Sequence, residues 1–109
     1  MTKIELIDKL ASLPEQIELA EKEVIKSVQA IQGAKERLTF VEDQLLVSGA
    51  IDGKNAETRA AQLRAHTLQQ RADIQDAENK ASGTRVALNR LNNELAICRA
   101  IAGMLKGAE

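Results

Sequence analysis

An apolar or small residue returns at every seventh position along two long stretches of this chain, and a short glycine-containing segment separates them. The first stretch carries Leu10, Ile17, Val24, Ile31, Leu38 and Leu45 in one row and Leu6, Leu13, Ala20, Ser27, Ala34 and Val41 in its companion. The second carries Ala60, Thr67, Ile74, Ala81, Leu88, Leu95 and Ala102, with Leu63, Gln70, Ala77, Thr84, Leu91, Cys98 and Leu105 beside them. Rows alternating three and four residues apart form one seam on an α-helix, and such a seam needs a second helix to cover it. Two seams of similar length on one chain predict an all-α fold, an antiparallel helical hairpin of coiled-coil type.

The 109 residues leave room for a single domain, 1–109. Phe40 is the only aromatic, so Leu, Ile, Val and Ala must build the core. The net charge of −1 excludes a strong electrostatic commitment to nucleic acid or to an anionic membrane. The charge is unevenly divided. Residues 1–53 hold six Lys/Arg against ten Asp/Glu, and residues 54–109 hold nine against six. An acidic arm beside a basic arm should attract across the hairpin. No apolar run reaches the roughly 20 residues of a membrane span, and Lys3, Glu5, Asp8 and Lys9 do not suit a signal peptide. A cytoplasmic protein is expected. Cys98, the lone cysteine, falls on the seam as a small apolar residue.

The first arm is expected over about residues 2–48, opened by Thr2 and Glu5 in capping-box spacing. The seam crosses Pro14 without a slip, which favours one kinked helix or two nearly collinear pieces over a fold-back. A turn is expected over about 49–55, with Gly49 as a left-handed cap and Asp52 or Asn55 capping the next helix. The second arm is expected to run unbroken over about 56–106. In this pairing Leu6 and Leu10 lie beside Leu95 and Cys98, while Gln70, Thr67 and Thr84 leave the middle of the hairpin its softest part.

The alanine-rich seam buries too little surface to be comfortable alone. Ile4 and Ile7 on the first arm, with Ile97, Ile101 and Met104 on the second, lie off the seam at the end carrying both termini. They are expected to form one patch through which the hairpin associates with itself into a multi-helix bundle. The competing reading folds the N-terminal piece back at Pro14 to cover that patch. The turn supplies a second candidate surface, an exposed tip with Ile51, Asp52, Lys54, Asn55 and Arg59 as partner contacts. The arginines of the second arm, Arg59, Arg64 and Arg71, are the candidate anion contacts. Gly53-Lys54 lacks the preceding strand and the following Ser/Thr of a phosphate loop. His66, the only histidine, has no nucleophile or orienting carboxylate in suitable spacing, and no metal-ligand or cofactor pattern occurs.

The segment Ile51-Asp52-Gly53-Lys54-Asn55-Ala56-Glu57-Thr58-Arg59-Ala60-Ala61-Gln62-Leu63 resembles one found in small coiled-coil proteins of bacteriophages and prophages, in which a G-K-N turn opens the second helix of a hairpin. Gly53, Lys54, Asn55 and Arg59 match that pattern. The resemblance covers about a dozen residues and implies a phage-encoded cytoplasmic accessory protein, with no activity attached. Three readings of function stand at this point. The first is a non-enzymatic, self-associating interaction protein that also binds another protein. The second is an anion, nucleotide or nucleic-acid binder using the second arm, which lacks stacking aromatics. The third is a structural or assembly coiled coil.

Overall fold

The computed structural model describes residues 1–108, which form α1 (Lys3–Val47), α2 (Ala56–His66) and α3 (Leu68–Ala108) and no strand. The fold is an all-α helical hairpin. It divides into two compact units, Met1–Lys26 with Ser82–Glu109 and Ser27–Ala81. The seam is the organising feature of both. Every seam position is buried or half-buried except Leu105, which is exposed near the end of α3.

In the first unit, α1 begins with the expected capping box. The Glu5 amide donates to Thr2 Oγ1 at 3.2 Å and the Thr2 amide to Glu5 Oε2 at 3.4 Å, which satisfies two amides that a helix start leaves open. The helix continues through Pro14 as one element, so the fold-back at that residue does not occur. Proline cannot donate to the Leu10 carbonyl, at a cost of about 3 kcal/mol in a helix interior. Leu13 and Ile17 bracket it and are both buried, and their packing holds the helix together across the defect. The core of this unit is Leu6, Leu13 and Cys98, with Leu10, Leu91, Leu95, Ile101 and Ala102 packed against them. Leu6 and Leu10 thus do meet Leu95 and Cys98.

One ion pair joins the helices of this unit, from Lys9 to Glu94. It runs opposite to the expected polarity, with the base on α1 and the acid on α3. The hydrogen bond and then the charge of Glu94 hold the Lys9 ammonium above its usual range. A raised pKa in the folded state means that the stabilisation is complete below the unfolded value and fades as pH rises through the folded one. Wild-type stability should therefore fall as pH climbs past about 10.4, and Lys9→Met should remove that part of the decline. Urea unfolding of both proteins across the alkaline range checks this; identical slopes would contradict it.

In the second unit, α1 ends in a Schellman motif. The Ala50 amide reaches the Leu45 carbonyl at 3.2 Å and the Gly49 amide reaches Leu46 at 3.4 Å, with Gly49 at φ 79°. The buried residues here are Ser27, Ala34, Ile51, Thr67 and Ala81, so Ile51 is the only large aliphatic side chain among them. The expected continuous second arm is corrected by a break at Thr67, between α2 and α3. The Thr67 hydroxyl donates to the Leu63 carbonyl at 2.6 Å, and its amide turns to Arg64 at 3.3 Å, a tightened last turn. Threonine back-bonding of this kind competes with the helical ladder. The same hydroxyl accepts from Arg71 Nε at 3.0 Å, and Arg71 also pairs with Glu42 at 3.7 Å.

Candidate interaction surfaces

The turn between α1 and α2 is built by its own polar side chains. Asn55, in an extended conformation, caps α2 by accepting from the Thr58 amide at 2.8 Å. Gln62 reaches back from α2. Its carbonyl oxygen accepts from the Asp52 and Gly53 amides at 3.1 and 2.9 Å, and its amide donates to Asp52 Oδ1 at 2.7 Å. Arg59 Nη1 donates to the Gly53 carbonyl at 3.2 Å. Gly53 fits because a Cβ there would stand 2.8 Å from the Arg59 amide nitrogen.

The expected tip changes accordingly. Ile51 is buried rather than displayed. Asp52, Asn55 and Arg59 are exposed, yet each is engaged in holding the turn. Lys54 is exposed with no ion pair or hydrogen bond among the described residues. The sequence reading missed Gln62, the residue that organises the turn. Its position seven residues after Asn55, one helical face along, was the only signal for it.

The three arginines do not gather into one anion site. Arg59 serves the turn and Arg71 serves Thr67 and Glu42, while Arg64 is exposed and unpaired among the described residues. His66 is exposed at the end of α2. Among the described residues no group of three or more His, Cys, Asp or Glu could hold a metal ion. None of their helices is long and apolar enough to cross a membrane.

The off-seam aliphatics of the first unit are the more prominent surface. Ile4, Ile7, Ile25, Ile97 and Met104 each keep more than half their surface exposed. Ile101 differs from the expectation, since it is half-buried and packs on the Leu6, Leu13 and Cys98 cluster. Helical phase separates the rest into two stripes. The Lys9–Glu94 pair marks one flank of the seam. At about 100° per residue, Ile97, Ile101 and Met104 lie within about 80° of Glu94 on α3. Ile4, Ile7 and Ile25 lie about 140–160° from Lys9 on α1. The single expected patch is therefore two stripes on opposite flanks of one helix pair.

The second unit adds an exposed apolar group that the sequence reading did not single out. Phe40 and Val47, seven residues apart on α1, border a surface groove with Asp43 and Gln44. No family model, curated protein or solved structure matches this chain.

Proposed function

We propose that this protein is a non-enzymatic helical interaction module that associates with a second copy of itself and presents a further apolar face to another protein. The observation carrying this reading is the pair of exposed aliphatic stripes in the first unit, Ile4, Ile7 and Ile25 on one flank and Ile97 and Met104 on the other. Ile4 and Ile7 lie one helical turn apart on their flank, and exposed apolar side chains that gather in this way mark an interface.

The resemblance of the Ile51–Leu63 segment to phage coiled-coil proteins fits an accessory protein of a phage or prophage acting in the host cytoplasm. Light scattering on the purified chain tests the self-association. A mass that is a multiple of 11.9 kDa at micromolar concentration, falling on dilution, is the expected result; a monomer mass throughout would overturn the reading.

A further inference from the structure

Opposite net charges of the two arms leave many side chains without a partner inside the chain. Glu21 on α1 and Arg85 and Arg99 on α3 are exposed and form no ion pair or hydrogen bond among the described residues. Glu18 is taken by Lys22 at 3.4 Å. Glu21, Arg85 and Arg99 lie on the flank away from the Lys9–Glu94 bridge, the flank of Ile4, Ile7 and Ile25, and the exposed Lys3 shares it. On α3 that flank carries Ala96, Ala100 and Gly103, and a Cβ at Gly103 would meet no atom within 4 Å.

Resting on the self-association reading, we infer that the second copy docks on this flank and not on the Ile97–Met104 flank. It lies side by side, related by a two-fold axis running along the helices. The α1 of each copy then sits against the α3 of the other, so every neighbouring pair of helices in the four-helix assembly is antiparallel. The axis leaves heights along the helices unchanged, and the Lys9–Glu94 pair fixes those heights. Glu21 stands about level with Arg85, twelve residues beyond Lys9 on one helix and nine before Glu94 on the other. Ile4 and Ile7 stand level with Ala96, Arg99, Ala100 and Gly103, small residues edged by a cation. Bulky side chains thus face small ones and Glu21 faces Arg85, twice over by symmetry, while Lys3 comes level with Arg99 as a like-charge approach at the rim. The Ile97 and Met104 stripes are left on the two outer faces.

Sedimentation equilibrium of the full chain and four variants tests this, with circular dichroism confirming equal helicity in each. Ile4→Gln with Ile7→Gln should raise the dissociation constant at least about tenfold, since it removes two aliphatic contacts from each copy and the symmetry doubles the loss. Ile97→Gln with Met104→Gln should leave it within about twofold, as expected for residues outside an interface. Glu21→Arg should weaken association about threefold, and adding Arg85→Glu should restore it, the behaviour of a rim ion pair. Loss of association in the Ile97/Met104 variant, or in neither apolar pair, overturns the placement while self-association stands. A wild-type chain that is monomeric at every concentration overturns both.

Discussion

Leu13→Ala is expected to cost about 3 kcal/mol of folding stability, within the range for truncating a buried leucine. The side chain is 2% exposed, sits in the Leu6, Leu13 and Cys98 cluster, and precedes a proline that already weakens its own helix. By the register of the Lys9–Glu94 pair the residue of the cluster nearest in height on α3 is Leu91, which is itself packed and has little room to move into the space. A domain of this size has only about 5–15 kcal/mol in hand, so the loss is a large share of the whole. Thermal and urea unfolding followed by circular dichroism would measure it. The exposed Leu19→Ala serves as a control and should change stability by less than about 0.5 kcal/mol. A cost below about 1 kcal/mol at Leu13 would mean that α1 and α3 are not packed there as described.

Gly53→Ala is expected to destabilise by about 2 kcal/mol, a value typical of overpacking against atoms that cannot yield. The added methyl would lie 2.8 Å from the Arg59 nitrogen and 3.0 Å from the Thr58 carbonyl carbon, both backbone atoms at the start of α2. Relieving that overlap moves the turn away from α2 and stretches the bonds from Gln62 to Gly53 and from Arg59 to Gly53. Gly83→Ala is the informative contrast. It lies within α3 with nothing within 4 Å of the new atom, and alanine should add up to about 1 kcal/mol there by helix propensity. Opposite signs in one unfolding series are the expected outcome. Equal effects at the two positions would refute the account of the turn.

The seam was legible in the sequence because heptad spacing and burial report the same thing, one helical face. Leu6, Leu13, Ile17, Ala34, Ala81 and Cys98 all became interior residues at the positions the spacing gave them. The ends of α1 were equally legible, since Thr2-x-x-Glu5 and Gly49 act through local hydrogen bonds and local backbone freedom. Thr67 was not. As a seam threonine it reads like Thr84, which lies within a continuous helix. What separates them is Arg71, four residues on, which holds the Thr67 hydroxyl and reaches Glu42, a contact between residues distant in sequence.

The interaction surfaces were only half legible, for a related reason. Composition and spacing located the exposed aliphatics at the terminal end. They could not say which flank of α1 faces which flank of α3 until the Lys9–Glu94 pair was placed. The turn shows the opposite error. Ile51 looks displayed because it sits among Gly, Asp and Lys, yet it is buried, and the two amides that follow it, of Asp52 and Gly53, donate to Gln62 across the turn. Loop polarity predicts where a chain turns better than which way one apolar side chain in it points.

Everything rests on α1 closing against α3 within one chain. Gln16 and Ala87 are each one heptad inward from the bridged Lys9 and Glu94, on the same flank and both exposed. Spin labels at these two positions, diluted into excess unlabelled protein, report the separation within a single molecule. A distance within about two helix diameters, 20–24 Å, is predicted. A distribution centred well beyond that, with no short component, would contradict the hairpin and the two flanks drawn from it.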